Sequence, residues 1–203
     1  MRKRLPSWFK KKIHSSGIIK ETQDLLDGLH LHTICESALC PNRGDCLSKG
    51  TATFLILGNI CTRNCTFCAV QKGTPDPVDA DESSRLADAV VRMGLNYAVI
   101  TSVTRDDLSD GGSDHFAKCV TAIRERNKAI KVELLIPDFQ GSLQNLQIIL
   151  QSHPDVINHN IETVPRLYAA VRPMADFKES LQLLRRSKDL APAIAVKSGI
   201  MVG

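Results

Sequence analysis

Short apolar runs alternate with segments of helical periodicity through most of the chain. The runs are nearly continuous, which is typical of strands that are buried on both faces of a parallel sheet. They lie at 51–58, 97–103, 131–136, 156–161 and 193–202. Between them, apolar residues recur at helical spacing, which predicts helices at about 82–94, 114–127, 142–152 and 176–190. Strands that alternate with helices in this way predict an α/β fold arranged as a partial (β/α) barrel.

Polar clusters follow the predicted strands. In such a barrel, the loops at the carboxyl ends of the strands form the site. The clusters are "CTRNCTFC", "TRDDLSDGG", "PDFQG" and "HNIET", each directly after a strand, and "KSGIMVG" in the last one. We therefore expect these five segments to meet at one mouth of the barrel.

Length and charge limit the number of domains and the classes of protein to which this chain can belong. A chain of 203 residues can form one sizeable core but not two large domains. We expect an N-terminal extension at 1–50 and a partial barrel at 51–203. The formal net charge is +4, and much of the excess lies in "MRKRLPSWFKKK". The balanced remainder disfavours a nucleic-acid-binding protein. The basic N-terminus either steers an acidic partner or is a solvated tail.

The sequence predicts no membrane partner and a cytoplasmic location. No apolar stretch approaches the roughly 20 residues that a membrane-spanning helix needs. The N-terminal segment lacks the apolar region of a secretory signal. Cysteines in a reducing compartment stay as thiols, so their spacing indicates metal or redox chemistry.

Six of the seven cysteines form two triplets, and the seventh stands alone in "HFAKCVTAIRERN". We expect that one, Cys119, to be a buried apolar residue of a helix. A structural zinc site needs four converging ligands, commonly in two CxxC-like pairs. Neither triplet has that form, although a zinc site that combines cysteines of both triplets, with His32 as a further candidate ligand, is an alternative. Cysteine thiolates are also the usual ligands of iron-sulfur clusters. Three thiolates on a cubane leave one iron open for a substrate or cofactor.

The triplets resemble the motifs of a known family. "CTRNCTFC" resembles the CxxxCxxC motif of radical S-adenosylmethionine enzymes, and it follows the first barrel strand, as in that superfamily. "CESALCPNRGDC" is similar to the CxxxxCxxxxxC segment of lipoyl synthases. The blocks "ITSVTRDDLSDGG", "NHNIETVPRLY", "VRPMADF" and "KSGIMVG" also resemble that family, so the resemblance covers nearly the whole chain.

The resemblance implies two 4Fe-4S clusters and S-adenosylmethionine as cofactors. One cluster would bind S-adenosylmethionine and be held by Cys61, Cys65 and Cys68. The auxiliary cluster, which supplies the sulfur, would be held by Cys35, Cys40 and Cys46. In this family, reduction cleaves S-adenosylmethionine to methionine and a 5'-deoxyadenosyl radical, which abstracts hydrogen from C6 and C8 of an octanoyl group. Two S-adenosylmethionine molecules are consumed per lipoyl group.

The resemblance also implies protein partners. The octanoyl group would be carried by lipoyl carrier domains, in the acyltransferase subunits of 2-oxoacid dehydrogenase complexes or in the glycine cleavage H protein. An electron donor such as ferredoxin or flavodoxin would supply the reducing electrons.

Two residues of "HNIET" are predicted to contact the cofactor. Asn160 and Glu162 lie at the end of the fourth strand, where a related enzyme would bind the ribose or the amino acid portion of S-adenosylmethionine. The alternative is a turn in which Glu162 is stabilised by the dipole of the next helix.

Two cationic residues are further cofactor-binding predictions. Arg105, together with Asp106 and Asp107, follows the second strand and is placed to meet the amino acid end of the cofactor or the auxiliary-cluster segment. A solvated loop is the alternative. Lys197 lies in an apolar strand, where its ammonium must either reach the mouth or form an ion pair.

The sequence departs from the family at its end. The chain stops at "KSGIMVG", whereas lipoyl synthases continue with a sixth strand and a segment whose serine completes the auxiliary site. We therefore expect a fragment with an unpaired barrel edge and low turnover. Two other classes stay open: a different radical S-adenosylmethionine enzyme such as biotin synthase, which shares only the first motif, and a non-catalytic iron-sulfur or zinc-binding module.

Overall fold

The computed structural model describes residues 16–38 and 40–202. The basic segment "MRKRLPSWFKKK" lies outside the described residues, so its role stays a prediction. The strands are β1 (His32–Thr33), β2 (Thr51–Ile56), β3 (Ile60–Cys61), β4 (Gln71–Lys72), β5 (Tyr97–Ser102), β6 (Lys131–Leu135), β7 (Val156–Asn158) and β8 (Ala195–Lys197). The α-helices are α1 (Ser16–Gly28), α2 (Ile34–Ser37), α3 (Arg43–Ser48), α4 (Glu82–Arg92), α5 (Ser113–Arg126), α6 (Leu143–Gln151), α7 (Tyr168–Val171) and α8 (Phe177–Leu190).

One six-stranded sheet organises the fold, in the order β1-β2-β5-β6-β7-β8. All neighbours from β2 to β8 are parallel, and the short β1 pairs antiparallel with β2. The long helices α4, α5, α6 and α8 connect the successive parallel strands. Successive strands that are also spatial neighbours give the winding of a barrel, and the sheet remains open between β1 and β8. The predicted partial (β/α) barrel is confirmed.

Strand register separates the core from the barrel interior. Phe54, Ile100, Leu134 and Ile157 are paired in one row across β2, β5, β6 and β7, and none is exposed. They belong to one apolar cluster with residues of α4, α5 and α6. Because side chains alternate along a strand, the next row points to the interior instead. That row is Leu55, Thr101, Leu135, Asn158 and Lys197.

A buried carboxylate joins four strands inside the barrel. Glu133 on β6 accepts hydrogen bonds from the Tyr97 hydroxyl at 2.6 Å, the Asn158 amide at 3.0 Å and the Lys197 ammonium at 2.9 Å. Burial, together with the neighbouring carboxylate, raises the pKa of Tyr97 above its usual range. A buried charge of this kind is tolerated because it is paired and hydrogen-bonded.

The predicted elements are all present, with differences at their ends. The predicted strands 156–161 and 193–202 end at Asn158 and Lys197. Beyond them the chain turns, and Glu162 has a φ of 59°. The N-terminal segment contains β1 and the helices α1, α2 and α3, which the periodicity did not predict. It packs on β2. No helix in the described part of the chain is long and apolar enough to span a membrane.

Asp155 ties the amino ends of β6 and β7 together. Its carboxylate accepts hydrogen bonds from Arg124 at 2.5 Å, Lys131 at 2.8 Å and the Val132 N–H at 2.9 Å. Burial alone would raise the pKa of Asp155, but these donors hold the pKa below its usual value. The interaction therefore stabilises the fold when Asp155 is ionised.

We predict that Asp155→Asn lowers the free energy of unfolding by about 1–3 kcal/mol at neutral pH, because charged donors lose their partner. The folded pKa is depressed, so this stability is present above the unfolded value of about 3.9 and is lost as pH falls through the folded pKa. Urea unfolding should show the difference from wild type narrowing below about pH 4. The control is Asp189→Asn, since Asp189 is exposed and lies 3.7 Å from Arg185. Equal effects of the two variants would contradict the prediction.

Candidate functional site

A cavity of about 430 Å³ opens at the carboxyl ends of β2, β5, β6 and β7. Its walls combine apolar side chains of the strands and the loops that follow them with a small set of polar groups. The polar and sulfur-containing lining includes Cys61, Cys65, Cys68, Arg63, Asn160, Glu162 and Arg172. The strand ends thus bring the "CTRNCTFC" and "HNIET" segments to one place.

The start of the cysteine loop is bonded to the loop after β5. Both the N–H and the hydroxyl of Thr62 donate to the Thr104 carbonyl, at 3.0 and 2.9 Å. The Asp106 N–H donates back to the Thr62 hydroxyl at 3.1 Å. The Cys61 carbonyl accepts the Gly73 N–H at 3.1 Å, where the loop returns beside β4. The first cysteine therefore has a well-defined position at the rim of the cavity.

The three thiols of this loop are unpaired and half-buried. The Cys61 sulfur accepts N–H groups of Arg63 at 3.4 Å and Thr104 at 3.3 Å. Burial raises the pKa of the Cys65 thiol, and the charge of Arg172 and a hydrogen bond with it oppose that shift. A negatively charged sulfur would thus meet positive partners in this cavity.

Arg63 is the one buried residue between positions 61 and 68, all of which the structure describes. Its guanidinium binds the Asp106 carboxylate at 2.6 and 2.9 Å and the Asp138 carboxylate at 2.6 and 2.7 Å. Burial opposes the charge on Arg63, but the two carboxylates outweigh burial and raise its pKa. Burial would likewise raise the pKa of Asp138, and Arg63 holds it below its usual value. We call these three residues the Arg63 clamp.

Leu57, at the end of β2, is held in a left-handed conformation with a φ of 66°. Its N–H donates to the buried Glu82 carboxylate at 2.9 Å, and Glu82 also contacts His115 at 2.7 Å. Its carbonyl accepts from Arg105 at 3.3 Å. A Cβ on Gly112 would come within 2.3 Å of the Leu57 side chain. The turn that leads into the cysteine loop is therefore fixed from three sides.

Asn160 and Glu162 lie at the cavity, as their sequence positions predicted. The Glu162 N–H donates to the Gly199 carbonyl at 3.1 Å, and Glu162 forms a parallel bridge with Ile200. A Cβ on Gly199 would lie 2.6 Å from the Asn160 amide oxygen, so the absence of a side chain permits this close approach. The segments "HNIET" and "KSGIMVG" meet here. Cofactor binding by Asn160 and Glu162 stays a prediction.

Arg105 and Lys197 have other contacts in this structure. The Arg105 guanidinium is buried, pairs with Asp107 at 2.8 Å and holds Leu57, and it does not line the cavity. The Lys197 side chain is 57% exposed and pairs with Glu133 rather than reaching the mouth. Of the two alternatives that the sequence left open for Lys197, the structure has the ion pair. Among residues 16–38 and 40–202, no contact places either cation at the cavity.

The second triplet lies on the N-terminal segment against β2. The Cys40 N–H donates to the Cys35 carbonyl at 3.0 Å. Burial raises the pKa of the Cys35 thiol, the thiols of Cys40 and Cys46 add to that shift, and hydrogen bonds with Thr53 oppose it. Cys35 and Cys46 line a separate cavity of about 10 Å³, which has room for about one water. The helix α2 borders both this cavity and the larger one.

The donor set of the first triplet fits an iron-sulfur cluster. Among the described residues, no three His, Cys, Asp or Glu side chains converge on one position suited to a single metal ion. A cubane differs from a single ion because each cysteine binds a different iron, so its ligands surround a volume. The thiols of Cys61, Cys65 and Cys68 line such a volume. The second triplet offers the same donors, and two of its thiols, Cys35 and Cys46, line the smaller cavity of about 10 Å³.

Sequence reasoning did not find the residues that support this loop. No role was predicted for Arg63, which lies within "CTRNCTFC", or for Glu82. Arg172 was quoted only within the block "VRPMADF", yet its guanidinium donates to the Asn160 carbonyl at 2.9 Å and lines the cavity. The burial of an arginine beside a cysteine motif cannot be recognised from the neighbouring residues, because its carboxylate partners are distant in sequence. Cys119, by contrast, is fully buried on α5 as predicted.

Comparisons with known proteins agree with this geometry. The family described as the Radical SAM superfamily matches residues 55–203. The chain is 52% identical over 200 residues to a lipoyl synthase of Caldanaerobacter subterraneus, covering 98% of this chain and 70% of the relative. It is 51% identical over 198 residues to the lipoyl synthase of Koribacter versatilis, covering 98% of this chain and 65% of the relative. The chain therefore spans about two thirds of the length of these curated relatives.

Solved structures share the fold at low sequence identity. Methylornithine synthase (PylB) has a TM-score of 0.58 and 15% identity, over 92% of this chain and 58% of that one. HydG, a maturase of the FeFe-hydrogenase, has a TM-score of 0.59 and 16% identity, over 95% of this chain and 48% of that one. At this level of identity the likeness shows the fold alone.

We predict that Gly112→Ala destabilises the fold more than Gly58→Ala. Both glycines have positive φ, 87° and 89°, and each alanine should cost about 1–2 kcal/mol for that conformation. Only at Gly112 would the new Cβ also collide with Leu57, since Gly58 has open space around it. The overpacking should add about 1–3 kcal/mol. Urea unfolding of the metal-free chain measures both, and equal losses would show that Leu57 is not held tightly.

Proposed function

The chain belongs to the lipoyl synthase family within the radical S-adenosylmethionine superfamily, and on this premise we propose that it inserts sulfur at C6 and C8 of a protein-bound octanoyl group. Its cofactors include an iron-sulfur cluster and S-adenosylmethionine. One observation carries the proposal: the three thiols of the CxxxCxxC loop line a single cavity together with Asn160, Glu162 and Arg172.

Cys61, Cys65 and Cys68 would hold the cluster that binds S-adenosylmethionine. When bound, this cluster supplies the electron that cleaves the sulfonium. The chain's own groups position and shield it: N–H groups of Arg63 and Thr104 point at the Cys61 sulfur. Hydrogen bonds to a ligating sulfur stabilise negative charge on it. Leu55, Val103 and Ile136 are buried beside the cavity and limit the access of water.

The cavity supports the binding of a small-molecule cofactor. Its volume of about 430 Å³ lies within the range of about 300–1,000 Å³ typical of ligand sites. Asn160 and Glu162 would contact the ribose or the amino acid portion of S-adenosylmethionine. Arg105 and Lys197 would act on the cofactor only indirectly, through Leu57 and Glu133, to which they are bonded.

Cys35, Cys40 and Cys46 would hold an auxiliary 4Fe-4S cluster that donates the sulfur atoms. Their segment packs on the inner side of β2, where Thr53 contacts Cys35 and Leu55 lines the main cavity. Two residues of a strand span about 7 Å. The auxiliary site and the main cavity therefore lie beside neighbouring positions of β2. This arrangement would bring the sulfur source close to the substrate chain.

The substrate and partners follow from the proposed reaction. The octanoyl group would be presented by a lipoyl carrier domain, of an acyltransferase subunit of a 2-oxoacid dehydrogenase complex or of the glycine cleavage H protein. Ferredoxin or flavodoxin would deliver one electron for each S-adenosylmethionine cleaved, with two consumed per lipoyl group. Seven unpaired thiols suit the reducing cytoplasm.

Substituting each triplet should separate the two clusters. After anaerobic reconstitution, the alanine variant of Cys61, Cys65 and Cys68 should lose about four irons and the sensitivity of its spectrum to S-adenosylmethionine, because these three thiolates are the protein ligands that would hold the cubane. The variant of Cys35, Cys40 and Cys46 should keep that sensitivity. Cys119→Ala is the control, since the thiol is buried in the apolar core, and it should keep all the iron. Iron and sulfide analysis with electron paramagnetic resonance measures this, and colourless protein containing zinc would contradict the assignment.

Turnover is the direct test of the function. Reconstituted protein is incubated anaerobically with S-adenosylmethionine, a reductant and an octanoylated carrier peptide. We expect 5'-deoxyadenosine, because the first triplet is held at the cavity, and, at low turnover, a mass gain in the peptide corresponding to two sulfur atoms replacing two hydrogens. Deoxyadenosine without sulfur insertion would mean that the auxiliary site is incomplete in these 203 residues. Absence of both products from cluster-loaded protein would contradict the proposal.

A further inference from the structure

The cysteine loop has little regular structure of its own to define its shape. Between β3 and β4 the chain contains only turns and irregular backbone. Its conformation must therefore come from bonds to other parts of the molecule. Within positions 61–68, Asn64, Thr66 and Phe67 are exposed, Thr62 and the cysteines are half-buried, and Arg63 is the one buried residue.

The Arg63 clamp connects this loop to two successive strand ends. Asp106 lies in the loop after β5, and Asp138 lies in the loop after β6. Each carboxylate receives two hydrogen bonds from the guanidinium, so both pairs are bidentate. Bidentate pairs specify orientation as well as distance. The two carboxylates on the barrel loops thereby determine the orientation of the Arg63 side chain.

The clamp also orients the backbone beside the first cysteine. Arg63 donates its own N–H to the Cys61 sulfur, while Asp106 donates its N–H to the Thr62 hydroxyl. Asp106 therefore binds the Arg63 guanidinium and also bonds to the loop at Thr62, next to the first cysteine. All these contacts are formed by protein groups alone.

From this geometry we propose that Arg63 is a positioning residue, which holds the cysteine loop in its ligand-binding shape before any cluster is present. The inference deepens the proposed function and rests on it for the role of the loop. The shape itself, however, can be measured in the metal-free chain. A role in general stability alone would affect the whole fold, whereas positioning predicts a change confined to this loop.

Lysine is the informative replacement for Arg63. Arg63→Lys keeps the positive charge but is a point charge without the planar fork, so it cannot form two bidentate pairs. Asp138→Asn is a second variant of nearly equal shape, which leaves Arg63 with one charged partner. The matched control is Arg126→Lys, because Arg126 pairs with Asp88 at 2.6 Å on the outer helices, away from the cavity.

The first measurement uses metal-free protein under reducing conditions. Mass spectrometry follows the alkylation rate of each cysteine, with Cys35, Cys40 and Cys46 as the internal reference. Hydrogen exchange compares residues 61–68 with helix α5. In Arg63→Lys we expect alkylation of Cys61, Cys65 and Cys68 to rise about tenfold or more, since an imperfectly paired buried carboxylate favours opening of the loop. The reference cysteines, α5 and the control variant should stay at wild-type rates.

The second measurement uses reconstituted protein. The electron paramagnetic resonance spectrum of the reduced cluster, with and without S-adenosylmethionine, should broaden in Arg63→Lys and in Asp138→Asn at equal iron content, and remain unchanged in Arg126→Lys. Loop rates equal to wild type in both clamp variants, or equal acceleration of every cysteine, would overturn the inference. Wild-type protein that fails to cleave S-adenosylmethionine would instead contradict the proposed function. The alkylation and exchange rates of the metal-free protein would still test the role of Arg63.

Discussion

A buried guanidinium between two carboxylates is the interaction on which the site depends most. Arg63, Asp106 and Asp138 come from three different loops, and each would be costly to bury without the others. Their charges are satisfied only when β2, β5 and β6 are correctly aligned. The stability of the barrel and the shape of the cysteine loop are therefore coupled, because the same bonds serve both.

The same principle recurs around the partial barrel. Leu57 is held between Glu82 and Arg105, and Glu133 joins four strands with the help of Lys197. In each case a charged side chain forms a hydrogen bond with a buried polar group, which lies either at the end of a neighbouring strand or on the interior face of the sheet. This arrangement keeps the cavity walls largely apolar while the strand-end loops remain fixed. A cavity built in this way can present thiols and amides to a cofactor with little reorganisation on binding.

Secondary structure was predicted well where it depends on local periodicity. The helices α4, α5, α6 and α8 and the parallel strands are present close to their predicted bounds, because an apolar stripe or run reports directly which face is buried. The strands predicted at 156–161 and 193–202 end earlier than expected, at Asn158 and Lys197. Pairing with the neighbouring strand, which the local sequence pattern does not show, determines where the backbone hydrogen bonds stop. The short N-terminal helices were not predicted, because they are held mainly by packing against β2 rather than by a strong pattern of their own.

The sequence by itself determined the alternation of strands and helices, the two cysteine triplets and the meeting of the strand-end motifs, since each of these follows from residue type and spacing along the chain. It also determined the burial of Cys119, whose helix has a clear apolar face. Only the tertiary structure decided which charges face the cavity and which support it. Arg105 and Lys197 were expected at the cofactor and form supporting ion pairs. Arg63 supports the cysteine loop through its two carboxylate partners, and Arg172 lines the cavity. The physical reason is that an ion pair depends on the position of a partner distant in sequence, and that position exists only once the sheet has formed.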